Sequence, residues 1–150
     1  NALAYAIEQS CRNKAEVVAE DETETGVRAT LNLGHTFGHA LETALNYTGL
    51  LHGEAVAIGT CLAADLSRRL GWLNRVDVQR IVDIFQRCHL PVALPEHLTP
   101  ERILDLMAVD KKNLDGKIRV ILLKGIGQAT LPVNIDQNVL VETLVHYGRD

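Results

Sequence analysis

Apolar and polar positions follow one another along most of this chain at helical spacing. Leu3, Ile7, Cys11 and Val18 form a stripe that predicts a first helix over 2–16, with Lys14 on or near it. The polar run 21–26, DETETG, reads as a loop. A second helix is expected over about 27–46. A third is expected over 52–70, with Gly71 as its stop. The third is apolar on almost every side, through Ala55, Val56, Ala57, Ile58, Cys61, Leu62 and Ala63, which predicts burial. Residues 77–88 are amphipathic through Val78, Ile81, Val82 and Phe85. Pro91 and Pro95 mark an extended link, and Thr99-Pro100-Glu101 reads as an N-cap with proline at the first helical position. Ile103, Leu104, Leu106 and Met107 continue that short helix. The β-rich run 118–123, the Gly125-Ile126-Gly127 turn and 129–133 predict a hairpin, and 136–147 a closing helix. The expected fold class is mainly α with one small β-hairpin, in a single domain over 1–150.

Composition narrows this picture. A hydrophobic fraction of 47% with mixed charge is that of a soluble globular protein. The net charge of -4 and the lack of a basic run weigh against nucleic acid as a partner. The longest apolar run, 55–64, is too short to span a bilayer, so no membrane is expected. Cys11, Cys61 and Cys88 are odd in number, far apart and in no CxxC, which predicts neither disulfides nor a cysteine zinc site and fits a reducing cytoplasm. The start lacks a signal-peptide pattern, and helical patterning already under way at Asn1 predicts a piece of a longer protein. No GxGxxG follows a strand, so these residues are not expected to bind a dinucleotide alone.

The chemistry concentrates in RATLNLGHTFGHALE, residues 28–42. On a helix at about 100° per residue, Arg28, Asn32, His35, His39 and Glu42 share one arc, opposite Leu33, Phe37, Leu41 and Ala44. A plain solvated face would carry better helix formers than two histidines and an asparagine, and Gly34 and Gly38 each cost roughly 1 kcal/mol against alanine. Close approach by another element or a ligand is the usual reason for such glycines. His35 and His39, spaced i, i+4, have the reach for one metal, or equally for one metal ligand and one substrate contact, but Thr36 stands where HExxH has its catalytic glutamate. His52 opens the third helix, where exposed N–H groups favour a neutral imidazole fit for a metal. Two imidazoles leave a catalytic zinc site one protein ligand short, with Glu42, Glu54 or a residue outside this chain as the third. Lys14, Arg28, Lys111 and Lys112 are candidate anion-binding groups, against the plain alternative of solvated lysines.

The stretch KAEVVAEDETETGVRATLNLGHTFGHALE, the following LLHGEAVAIG, and DKKNLDGKIRVILLKGIGQA closely resemble the C-terminal domain of bacterial 3-dehydroquinate synthases. The resemblance implies the helical domain of that architecture, without its N-terminal NAD-binding domain. It implies Zn2+ or Co2+ held by His35, His52 and a glutamate that lies upstream of the matched region. It further implies Lys14 and Arg28 at the polar groups and carboxylate of the substrate. Asn32, His39 and one of Lys111 or Lys112 would meet its phosphate end, with His39 and Lys14 in catalytic roles. The implied reaction turns DAHP into 3-dehydroquinate and phosphate in aromatic amino acid biosynthesis, with NAD regenerated at each turnover, in a homodimer. A metal-dependent alcohol dehydrogenase, a related sugar phosphate cyclase, or an isolated helical fragment without activity are the other readings. Lys14, Arg28 and Asn32 favour an acidic, phosphorylated substrate over a neutral alcohol.

Overall fold

The computed structural model describes residues 1–109 and 118–148. The architecture is a helical domain with a hairpin laid against it. The helices are α1 (Ala2–Glu20), α2 (His35–Ala44), α3 (His52–Arg69), α4 (Arg75–Arg87), α5 (Pro100–Val109) and α6 (Gln137–His146). The strands are β1 (Arg119–Val120), β2 (Leu123–Gly125), β3 (Gln128–Ala129) and β4 (Val133–Asn134). None of the helices among the described residues is long and apolar enough to cross a membrane.

α3 is the central post, as its all-round apolar pattern predicts. Ala55, Ala57, Ile58, Cys61, Leu62, Ala63, Ala64 and Leu66 are all buried in it. Phe37 and Leu41 of α2, Ile103 and Met107 of α5, Val120 and Leu122 of the hairpin and Leu140 and Leu144 of α6 complete the main core. Burying side chains of this kind contributes about 1.5–3 kcal/mol each. Thr99 accepts from Arg102 N through its hydroxyl at 3.3 Å, so the cap read at Thr99-Pro100 is in place. Asp65, buried in α3, accepts from Arg68 and Arg69, and Arg69 reaches Glu142 of α6 at 3.2 Å.

The second helix is not continuous. Val27–Asn32 is a tight 3-10 turn, and α2 starts only at His35. The break falls at Gly34, whose φ of 79° lies in the left-handed region. A Cβ there would also stand 2.7 Å from Thr60 N and 2.8 Å from Val56 O, both on α3. Gly59 of α3 faces the same contact, and a Cβ on it would overlap the Gly34 carbonyl oxygen. The two backbones therefore touch at Gly34, Gly38 and Gly59. Close approach by another element explains the glycines, and it interrupts the single arc expected over 28–42. A helical wheel carried through Gly34 misplaces Arg28 relative to the histidines.

The hairpin is longer and less regular than one simple ladder. β2 pairs with β3 and β1 with β4, both antiparallel. Between them Thr130 N donates to Leu122 O at 2.8 Å and Leu122 N to Thr130 Oγ1 at 3.0 Å. Pro132 has no N–H to continue the ladder there. The hairpin is pinned at two points: Leu123 N donates to Ser67 Oγ of α3 at 3.0 Å, and Thr36 Oγ1 of α2 to Arg119 O at 3.4 Å. The second of these sets β1 beside the histidine-bearing end of α2.

Candidate metal and substrate site

Three imidazoles meet where α2 and α3 come together. The ring centroids of His35 and His52 are 5.3 Å apart, those of His35 and His39 5.6 Å, and those of His39 and His52 6.2 Å. His35 and His39 share a face of α2 by their i, i+4 spacing. His52 is brought to them by the glycine contact, because α3 begins at that residue. The Nδ1 of His35 is 3.2 Å from Leu33 O, and the Nδ1 of His52 is 3.1 Å from Glu42 Oε1. Both partners are acceptors, so each of these contacts takes a proton on Nδ1.

That arrangement fits a divalent ion. Zn–N bonds of about 2 Å on a tetrahedral centre place two ligand ring centres roughly 5 Å apart. The His35–His52 separation of 5.3 Å matches this best of the three. Among the described residues no group of three His, Cys, Asp or Glu side chains converges as a metal set. The two internal candidates for a third ligand are otherwise engaged. Glu42 is turned to His52, and Glu54 Oε2 accepts from Leu51 N at 2.7 Å, capping the start of α3.

A cavity of about 190 Å³ opens beside the imidazoles, lined by Glu24, Asn32, His35, Thr36, His39 and Arg119 among others. The side-chain amide of Asn32 donates to Glu24 Oε1 at 2.8 Å, from a glutamate held at φ 57°. Arg119 Nε donates to Asn134 Oδ1 at 3.3 Å, across the β1–β4 pair. Glu24, Thr36 and Arg119 are not marked by helical spacing. The available signal for Arg119 is a lone cation inside the apolar run IRVILL.

Arg28 and Lys14 do not line this cavity. Arg28 is half-buried and its Nη1 donates to Glu22 O at 2.7 Å, within its own loop. Lys14 is exposed on α1. Lys111 and Lys112 lie outside the described residues. The loop that carries Arg28 is tied by Asp21, whose carboxylate accepts from Thr25 N at 3.1 Å, Gly26 N at 2.7 Å and Arg28 N at 3.0 Å. Desolvation, the largest influence, pushes the Asp21 carboxyl up. The hydrogen bonds from Gly26, Arg28 and Thr25 together outweigh it and hold the group below its ordinary 3.8. All three cysteines are free thiols, and burial raises that of Cys61 to about 11.

Fold and site together define the class of the chain, a helical domain of the kind found in sugar phosphate cyclases. It superimposes with a TM-score of 0.78 on ValA, the 2-epi-5-epi-valiolone synthase of Streptomyces hygroscopicus subsp. jinggangensis solved with NAD+ and Zn2+, at 27% identity over 95% of this chain and 39% of that one. A 2-deoxy-scyllo-inosose synthase complexed with carbaglucose-6-phosphate, NAD+ and Co2+ gives 0.69 at 28% identity, over 82% and 35%.

The chain belongs to the 3-dehydroquinate synthase family: the family model described as 3-dehydroquinate synthase C-terminal matches residues 1–113. It is 64% identical over 148 residues to the 3-dehydroquinate synthase of Methylococcus capsulatus, covering 99% of this chain and 41% of that protein. It is 57% identical to the chloroplastic 3-dehydroquinate synthase of Solanum lycopersicum, over 99% and 34%. The chain thus spans about two fifths of the length of the Methylococcus relative.

Proposed function

We propose that these residues form the metal- and substrate-binding half of a 3-dehydroquinate synthase, a phosphorus–oxygen lyase that turns DAHP into 3-dehydroquinate and phosphate in the shikimate route to aromatic amino acids. The observation that carries the reading is the His35–His52 pair, 5.3 Å apart with both Nδ1 positions engaged. His35 and His52 would hold Zn2+ or Co2+, with the third protein ligand supplied from outside this chain. The ion would supply Lewis-acid polarisation of the substrate oxygen that is oxidised. NAD would be bound mainly by a preceding domain, and the whole protein would work as a cytoplasmic homodimer, a compartment that three free thiols suit.

The chain's own residues hold and orient the substrate. Asn32 and His39 line the cavity beside the metal pair and would meet the phosphate end, with one of Lys111 or Lys112. His39 would hold a proton at a phosphate oxygen as that group leaves. Lys14 and Arg28 would take the substrate carboxylate and nearby polar groups, Lys14 also steering charge at the reacting end. For Arg28 this means exchanging its bond to Glu22 O for one to the substrate. The 64% identity to a 3-dehydroquinate synthase, against 27% to the valiolone synthase, favours DAHP over other sugar phosphates.

The test is phosphate release from DAHP by the full-length protein with NAD+ and Co2+. Turnover that disappears in His52→Ala is expected. A wild-type protein that releases no phosphate, or that prefers another sugar phosphate, overturns the assignment.

A further inference from the structure

Glu42 sits on the histidine face of α2, one turn beyond His39, and only 8% of it is exposed. A carboxylate in such a place costs free energy unless it is hydrogen-bonded. Its partner is the Nδ1 of His52 at 3.1 Å. The two side chains differ sharply in freedom, since that of His52 is 58% exposed and that of Glu42 11%. A mostly solvated imidazole at the first position of a helix would otherwise turn about its side-chain bonds and sample both tautomers. The anchor's own backbone is fixed: its carbonyl accepts from Tyr47 N at 2.8 Å where Asn46 and Tyr47 close the helix in the left-handed region.

We infer that Glu42 is a positioning residue: it locks His52 in the tautomer whose Nε2 carries the lone pair and holds the ring toward His35. A carboxylate can only accept from Nδ1–H, which leaves Nε2 as the donor atom for an ion. A carboxylate behind a metal-bound imidazole also makes the ring a stronger ligand, and removing such partners typically weakens binding about 10–100-fold. His35 has a weaker version of the same support, a backbone carbonyl. The loss of Glu42 therefore falls on His52 alone. The inference rests on the metal reading given under Proposed function, and the experiment separates the two.

In the full-length protein, Co2+ affinity is measured by calorimetry and by the visible absorption of the bound ion, for wild type, Glu42→Gln and Glu42→Ala. The ring nitrogens of His52 are followed by 15N NMR in the metal-free protein at alkaline pH. The Co2+ Kd is expected to rise about 10–100-fold in Glu42→Ala. Glu42→Gln, which keeps an acceptor oxygen and the side-chain volume, recovers part of that loss. His52 changes from one Nδ1-protonated tautomer to a mixture in Glu42→Ala. The same Kd in all three proteins, or an unchanged His52 tautomer in Glu42→Ala, overturns the positioning role and leaves the metal reading standing. A wild type that binds no Co2+ overturns both.

Discussion

α1 and α3 are nearly equal in length, 19 and 18 residues, yet α1 buries none of its residues and α3 buries eleven. The same inequality divides the candidate site. The imidazoles His35, His39 and His52 stand on the α2–α3 pair, where two backbones are pressed together at glycines. Lys14 and Arg28 stand on α1 and on the 3-10 turn it touches, a limb shaped by local hydrogen bonds rather than by packing. On the proposed function, metal ligands, which tolerate errors of only about 0.5 Å, would stand on the rigid pair. The side chains that hold the substrate would stand on the limb, and the two regions would then divide the work by stiffness.

The largest effect is expected from striking the stiff region directly. Gly59→Ala drives a methyl group into the Gly34 carbonyl, and backbone on both sides leaves no cheap relaxation. A loss of about 3 kcal/mol in chemical denaturation is expected. Gly53→Ala on the same helix is the control, since a Cβ there meets nothing within 4 Å. It should be neutral or stabilise by up to about 1 kcal/mol. Equal effects from the two would mean that α2 and α3 are not in backbone contact.

Next comes the division of labour itself. In the full-length protein Asn32→Ala should lower kcat/KM for DAHP roughly 100-fold, about 2.7 kcal/mol of transition-state stabilisation. Its thermal midpoint should stay within about 2 °C of wild type, because Asn32 is only half-buried and bonds to the exposed Glu24. Loss of stability in step with activity would move Asn32 from the limb to the scaffold.

How far this division could be read from residues alone depends on the kind of contact. The burial of α3, the Thr99 cap and the hairpin follow from periodicity and turn chemistry, which are local. The break at Gly34 does not, because the apolar pattern runs on through Leu33, Phe37 and Leu41 as if the helix were unbroken. Only the meeting of Gly34 with Gly59, 25 positions later, stops it, and that is a tertiary fact. The His35–His52 pairing was accessible through residue chemistry together with family likeness. The place of Arg119 in the cavity, and the use of Glu42 and Glu54 as hydrogen-bond partners, depended on distances no spacing rule supplies.

A smaller, local effect should appear with pH. The Asp21 carboxyl is held below its ordinary 3.8, so its contribution to loop order is complete above that value. It is lost as pH falls through the lower, folded-state value. The Gly26 and Arg28 amide proton resonances should therefore titrate together with a midpoint below 3.8, while those of α3 stay still. A midpoint above 3.8 would mean that desolvation, not the three hydrogen bonds, governs the group. Asp21→Asn should abolish the titration.

The smallest effect is predicted where the apolar pattern alone would suggest a large one. Leu3 and Ile7 lie on the stripe that marks α1 as a helix, yet they are 66% and 56% exposed. Truncating a buried isoleucine costs about 2–5 kcal/mol, because its atoms leave a cavity in a packed core. Ile7 has no such core around it here, and alanine is the better helix former. In this chain by itself Ile7→Ala should therefore change stability by less than about 0.5 kcal/mol in chemical denaturation. A loss of 2 kcal/mol or more would show that the stripe is covered in solution. α1 would then belong with the stiff region, and stiffness would no longer separate the three imidazoles from Lys14.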